Sequence, residues 1–321
     1  MQAIKKEKAG VRRILKGIRV LLGPSTFGAL DQTPLHRLKE TGCKVIENPY
    51  KRTLSKNELM KLLAGGVEGL IAGLEPLDAE VLKKTQLKVI SRCGAGVSNV
   101  DLTAAKRLNI EVCSTPDAPT QAVAELTLGA MLSLFRMIPQ MSQDLHSGKW
   151  SKRIGRQLEG KTVVIVGFGR IGQKLASLLL PFNVKIIAVD LHIVAAYQNV
   201  EYLPIERALP RADVVSIHCT GEKQVLGARE FELLKDGAFI LNASRGGVID
   251  ERILIRYLDK GKVAGAWIDT FIQEPYNGPL MKYPQVILTP HVGSYTLETR
   301  RVMELEAVNN LIRVFQKIQN V

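Results

Sequence analysis

Three short stretches of the sequence each close an apolar run with a residue able to do acid–base or anion-binding chemistry. They are 240-ILNASRGGVIDE-251, 266-AWIDTFIQEP-275 and 286-VILTPHVGSYTLETR-300. The first carries Arg245 on a small-residue turn, the second Asp269 and Glu274, the third His291 directly after Pro290. An Arg fork suits a planar carboxylate, which it holds bidentately. A carboxylate beside an imidazole favours the charged ring, which readies His291 to protonate a carbonyl oxygen. A single histidine after a strand would more simply be structural; three matched groups on successive strand ends form a set with named roles. Gly246 and Gly247, next to Arg245, mark a close backbone approach.

A fourth stretch, 162-TVVIVGFGRIGQKLASLLLPFNVKIIAVD-190, reads strand, turn, helix, strand. Gly167 allows the tight turn, Gly169 lets a pyrophosphate approach the backbone, and Gly172 permits close packing of helix on strand. The helix begins near Arg170 and Ile171, where free N–H groups and the positive dipole end face the phosphates. Asp190 ends the next strand, 18 residues beyond Gly172, where a carboxylate accepts from ribose hydroxyls and repels a 2′-phosphate. NAD is therefore expected rather than NADP.

These strand ends need a frame. From Ile18 onward, short β-branched runs (IRVLL, CKVIE, GLIAG, LKVIS, IEVCS) alternate with amphipathic segments such as 55-SKNELMKLLAG-65. A second series runs TVVIV, KIIAV, ADVVSIH, AFILNA, VAGAWI and VILTP. Strands alternating with helices predict parallel sheets covered by helices, in two units. A length of 321 residues also suits two cores better than one. Between the series lies 118-APTQAVAELTLGAMLSLFRMIPQMSQDLHSGKW-150, whose first half has apolar residues on nearly every side. Such a helix is expected to be buried, against the rest of the chain or a second copy, and predicts a homodimer, with a tetramer as the larger alternative. The tail 296-TLETRRVMELEAVNNLIRVFQKIQ-319 is a long helical run able to return to the first unit.

Composition is globular, at 46% hydrophobic and 23% charged. No apolar run reaches the roughly 20 residues that span a bilayer, so no membrane role is expected. The basic start, MQAIKKEKAGVRRILKG, lacks the apolar core of a secretory signal. Cys43, Cys93, Cys113 and Cys219 are scattered without a C-x-x-C pair, which predicts reduced thiols in a cytoplasmic compartment and no metal site. Net charge is +13, of which +8 falls in the first 60 residues, with 13 Lys or Arg against 5 Asp or Glu. These charges are dispersed, without aromatic interleaving, so a solvated face that steers an anionic substrate is expected and a nucleic-acid partner is not.

The chain resembles the D-isomer-specific 2-hydroxyacid dehydrogenases from about Ile18 to its end. The resemblance is carried by 92-RCGAGVSNVDL-102, 115-TPDAPTQAVAELTLG-129, 136-RMIPQ-140, 147-SGKW-150, 167-GFGRIG-172, 242-NASRGGVIDE-251, 269-DTFIQEP-275 and 290-PHVGS-294. It implies a Rossmann NAD-binding domain over 116–296, with a dimerisation region at 119–150. It also implies a flavodoxin-like, discontinuous substrate domain made of 1–115 and 297–321. Within these, Arg245 would bind the substrate carboxylate and carbonyl, His291 would be the acid/base, and Glu274 would support it. Asp269, His291, Gly293 and Ser294 would approach the nicotinamide, Arg170 and Ile171 the pyrophosphate, and Asp190 the ribose. Cys219, Ala243 and Ser244 would line the cofactor cleft. Ala95, Gly96 and Val97 would offer N–H groups to the substrate carboxylate, Ala95 also touching the cofactor, with domain closure accompanying turnover. The resemblance is strongest to members acting on 3-phosphoglycerate, in serine biosynthesis; glyoxylate or hydroxypyruvate reduction, and an NAD-sensing co-repressor role, are the alternatives. The chain departs from the family at three places: 218-HCTGEKQVLG-227 is shorter and lacks a proline, Ser98 replaces an acidic residue, and Gly73-Leu74-Glu75 stands where phosphoglycerate enzymes carry a phosphate-binding Arg. Arg92 remains as a cation for that group.

Overall fold

The computed structural model describes residues 15–192, 197–221 and 223–319. The first 14 residues of the basic N-terminal segment lie outside the described residues. The chain divides into two compact units, one running to Pro119 and resuming at Tyr295, the other spanning Thr120–Ser294.

The first unit alternates β1 (Arg19–Leu22), α1 (Thr33–Glu40), β2 (Lys44–Glu47), α2 (Lys56–Leu63), β3 (Gly69–Ala72), α3 (Ala79–Lys83), β4 (Val89–Arg92), α4 (Leu102–Arg107) and β5 (Glu111–Cys113). The five strands are parallel in the order β2-β1-β3-β4-β5. Helix starts follow the local chemistry: Ser55, Asp78 and Asp101 each cap a helix by accepting a backbone N–H three residues on.

The second unit opens with α5 (Thr120–Arg136) and α6 (Ile138–His146). It continues through β6 (Thr162–Val166), α7 (Arg170–Leu179), β7 (Lys185–Val189), β8 (Val200–Tyr202), α8 (Ile205–Ala208), β9 (Val214–Ile217) and α9 (Ala228–Leu233). It closes with β10 (Ala238–Asn242), α10 (Glu251–Asp259), β11 (Val263–Ile268) and β12 (Val286–Leu288). Its seven strands are ordered β12-β11-β10-β9-β6-β7-β8. The order reverses direction between β6 and β9, the switch point at which open α/β sheets bind ligands. Alternate residues of β6 feed opposite cores, Val164 and Val166 on one face and Val163 and Ile165 on the other, so the sheet is covered on both sides. The last helix, α11 (Leu297–Gln319), belongs to the first unit, where Met303, Ala307, Val308, Leu311 and Phe315 join its core.

Two expectations need correction. The helix expected over the first half of 118–150 is not buried on every side. Met137 adopts a left-handed conformation (φ 48°) that ends α5, and Gln121, Glu125, Gly129 and Arg136 form an exposed stripe along it. Its buried face, including Ala124, Met131, Leu134 and Phe135, is satisfied inside its own unit by the α7 core. The edge strand β8 was also not expected: three residues, VEY, are too short for an alternation to register. No single described helix is long and apolar enough to cross a membrane.

Candidate active site

The glycine-rich turn joins β6 to α7 at the switch point. Gly167 has φ +90°, and a methyl there would run into the backbone of His218 and Cys219 at the end of β9. A methyl on Gly172 would fall on the Gly167 carbonyl, whereas one on Gly169 meets nothing within 4 Å. The turn is thus packed from behind and open in front, where the first N–H groups of α7 lack carbonyls four residues back. Asp190 braces the turn: Oδ2 accepts from the Phe168 N–H at 2.7 Å and Oδ1 from the His192 N–H at 3.0 Å. This open cradle, with N–H donors and an acid at the next strand end, fits a dinucleotide. Burial pushes the His218 imidazole down to about 4, so it stands neutral, with Ser216 Oγ 2.8 Å from Nε2.

The turn after β10 is organised by Asn242. Its Oδ1 accepts from the Ser244 N–H (3.0 Å) and its Nδ2 donates to the Arg245 carbonyl (2.9 Å). Ser244 Oγ donates to the Cys219 carbonyl at 2.9 Å, tying the turn, Ala243 included, to the loop after β9. Gly246 explains itself locally, because a methyl would fall on the backbone of Phe271 and Ile272. That close approach sets the Arg245 turn against the loop carrying Glu274.

Glu274 accepts from the Phe271 N–H (3.1 Å) and meets His291 Nδ1 with both oxygens, at 3.1 and 2.9 Å. Burial alone would raise the Glu274 carboxyl. The hydrogen bond and charge of His291, the Phe271 N–H and the charge of Arg245 outweigh it and hold the group below its usual value. The three residues proposed from sequence therefore share one neighbourhood. With Nδ1 on the carboxylate, Nε2 is the nitrogen left to exchange a proton. His291 itself has φ 54°, and its N–H bonds the Thr289 carbonyl (2.9 Å) around Pro290. A left-handed non-glycine conformation costs about 1–3 kcal/mol and persists where its surroundings over-determine it.

Those surroundings centre on Asp269. Its Oδ1 accepts from Thr289 Oγ1 (2.6 Å) and the Val292 N–H (2.9 Å), and its Oδ2 from the Gly293 N–H (2.9 Å). Trp267 Nε1 in turn donates to Thr289 Oγ1 at 2.9 Å. Burial pushes the Asp269 carboxyl up, against these hydrogen bonds and the charge of His291. A methyl on Gly293 would come within 3.1 Å of that carboxylate and 3.2 Å of Val123. Asp269 and Gly293 thus build the loop that presents His291, and Ser294 ends it. Asn242, Trp267 and Thr289 escaped the sequence reading; Thr289, two residues before His291, was its one local signal.

In the first unit, the loop after β4 holds Gly94 by N–H bonds to the Arg92 carbonyl and Thr115 Oγ1. Among the described residues, the N–H groups of Ala95, Gly96 and Val97 donate no hydrogen bond.

Residues 128–293 match the family described as "D-isomer specific 2-hydroxyacid dehydrogenase, NAD binding domain". Similar over most of their lengths is a hydroxypyruvate reductase of Thermotoga maritima, 34% identical across 81% of this chain and 88% of that one. The D-3-phosphoglycerate dehydrogenase of Rattus norvegicus is 37% identical across 82% of this chain. The chain belongs to the D-isomer-specific 2-hydroxyacid dehydrogenases. The solved TT0316 protein from Thermus thermophilus superposes with a TM-score of 0.85 at 33% identity, over 94% of this chain and 97% of that one. The match spans only 51% of the rat enzyme. As in the family's nucleotide-binding domain, the cofactor is NAD.

Proposed function

We propose that the chain is an oxidoreductase that interconverts a D-2-hydroxyacid and a 2-oxoacid with NAD. The observation that carries this reading is the Glu274–His291 pair lying under the charge of Arg245 on neighbouring strand-end loops. When bound, NAD supplies the two-electron exchange at the substrate C2. Arg245 holds the carboxylate and carbonyl, which fixes the carbonyl oxygen toward His291. His291 Nε2 donates a proton to that oxygen in reduction and takes it back in oxidation, while Glu274 stabilises the charged ring. We assign Gly167, Gly169, Arg170, Ile171 and Gly172 to the pyrophosphate and Asp190 to the ribose. Cys219, Ala243 and Ser244 are assigned to the cofactor wall, and Asp269, Gly293 and Ser294 to the nicotinamide end through the loop they build. Ala95, Gly96 and Val97, with Arg92, are assigned to the substrate from the first unit.

3-Phosphoglycerate, and a place in serine biosynthesis, remain the finer reading suggested by sequence, and the rat relative supports it. The Thermotoga relative supports hydroxypyruvate at nearly the same identity. A panel of 3-phosphoglycerate, 3-phosphohydroxypyruvate, hydroxypyruvate and glyoxylate, followed at the NADH absorbance band, tests the reading. Turnover of at least one 2-oxoacid is expected; none at all would instead favour an NAD-sensing binding role.

We also propose a homodimer. The segment after α6 is stitched down by Arg156, whose N–H bonds the Phe135 carbonyl (2.8 Å), yet it leaves Trp150 81% and Ile154 96% exposed. Two large apolar side chains so exposed on one short segment support that reading. Light scattering at micromolar concentration should give a dimer for the parent and a monomer for a Trp150→Glu, Ile154→Glu double variant. A monomeric parent would refute the proposal.

A further inference from the structure

Three glycines follow adjacent parallel strands of the first unit: Gly23 after β1, Gly73 after β3 and Gly94 after β4. Each leaves room for a charged side chain. A methyl on Gly23 would fall on the Glu75 carboxylate, one on Gly73 would crowd its other oxygen, and one on Gly94 would fall on the Arg92 guanidinium. Glu75 is 1% exposed, an unusual place for a carboxylate without a partner. Its Oε1 accepts from the Gly73 N–H at 2.9 Å. Asn99 Nδ2 donates to the carbonyls of Gly73 (3.2 Å) and Glu75 (2.8 Å), fixing this turn to the loop that also presents Ala95–Val97. Burial pushes the Glu75 carboxyl up, opposed by backbone N–H groups and the charge of Arg92. A buried cation of the same unit is matched directly. Arg300 meets Glu304 at 2.6 Å, and Glu304 also accepts from the Gly28 N–H at 2.9 Å. β3 and β4 pair with Ala72 opposite Arg92, so the Glu75 turn and Arg92 leave neighbouring strand ends.

We propose that Glu75 sets the charge of the substrate tail: by matching Arg92, it selects 2-oxoacids with an uncharged tail, hydrogen or hydroxymethyl, over those carrying phosphate. This rests on the assignment of Arg92 and Ala95–Val97 to the substrate. A phosphate brought to Arg92 also comes beside a buried carboxylate, so attraction and repulsion offset while the dianion still loses its hydration. A hydroxyl has little hydration to lose and two ways to hydrogen-bond. Discrimination then arises from a group that opposes the wrong substrate rather than from extra contacts to the right one.

The test compares kcat/KM for hydroxypyruvate and 3-phosphohydroxypyruvate in the parent and in Glu75→Gln. The amide keeps an acceptor for the Gly73 N–H and removes only the charge. The parent should prefer hydroxypyruvate by at least about tenfold, one charge interaction of roughly 1.4 kcal/mol. Glu75→Gln should shift the ratio toward the phosphorylated acid by at least as much, through a lower KM for that acid. A role confined to folding would move both substrates together and leave the ratio in place, which overturns the proposal. A parent that prefers 3-phosphohydroxypyruvate overturns it with no variant needed, and leaves the dehydrogenase reading standing. Absence of turnover on both acids overturns this inference, and absence of turnover on the whole panel refutes the dehydrogenase reading with it.

Discussion

Replacing His291 with glutamine is expected to lower the reductive kcat by about 10²–10⁴-fold, the usual worth of a positioned general acid, while NADH still binds in a fluorescence titration. Glutamine has similar reach and can donate a hydrogen bond, but it cannot give up a proton and regain it. The size of the effect follows from how firmly the ring is held. Its backbone is pinned by the Thr289 carbonyl on one side, and on the other by Asp269, which takes the N–H groups of Val292 and Gly293. Its Nδ1 is engaged by Glu274. A kcat within tenfold of the parent would remove His291 from the chemistry. Glu274→Gln then tests the pair. The amide keeps an oxygen for Nδ1 but loses the charge that faces the ring, so reductive kcat should fall by about tenfold or more while the KM for the oxoacid changes little. An unchanged kcat would show that Glu274 does not act on the ring.

The parts of this site that could be read in advance are those whose partners are close in sequence or whose spacing is set by one element. The turn 167-GFGRIG-172 is such a case, because a strand, a tight turn and a helix start impose their glycines within six residues. Arg245, Glu274 and His291 were visible because parallel strands place their C-terminal ends along one edge, whatever the length of the helices between. What stayed hidden depends on contacts across the sheet. Glu75 reads as an ordinary loop acid until Gly23, some fifty residues earlier, is seen to leave the space it fills. Thr289 gains meaning only through Trp267 and Asp269, about twenty residues away. The glycines are equally instructive. Gly246 and Gly293 suggested the approach of a ligand, yet each makes room first for the protein itself, the Phe271–Ile272 backbone in one case and the Asp269 carboxylate in the other. The α5 segment looked apolar all round because its outward stripe is narrow, only Gln121, Glu125, Gly129 and Arg136, and packing against α7 is what distinguishes the two faces.

Arg245→Gln should lower kcat/KM for every 2-oxoacid by about 10²–10⁴-fold. Two charge-assisted hydrogen bonds to a carboxylate are each worth roughly 1.5–3 kcal/mol, and every 1.4 kcal/mol or so is a factor of ten. Arg245→Lys keeps the charge but loses the planar fork, so it should fall between parent and glutamine. That ordering separates recognition of a carboxylate by shape from mere electrostatic attraction, for which lysine would match the parent. A second readout lies in the acid limb of the pH profile. Arg245 contributes to holding the Glu274 carboxyl low. With that cation gone, Glu274 should take up its proton at a higher pH as the solution is acidified, and the support it gives His291 should be lost earlier. An Arg245 acting only on substrate, remote from the Glu274–His291 pair, would reduce kcat/KM without moving that limb. The turn geometry argues against remoteness, since Gly246 lets the Arg245 turn lie directly on the backbone of Phe271, whose N–H is the one that Glu274 accepts.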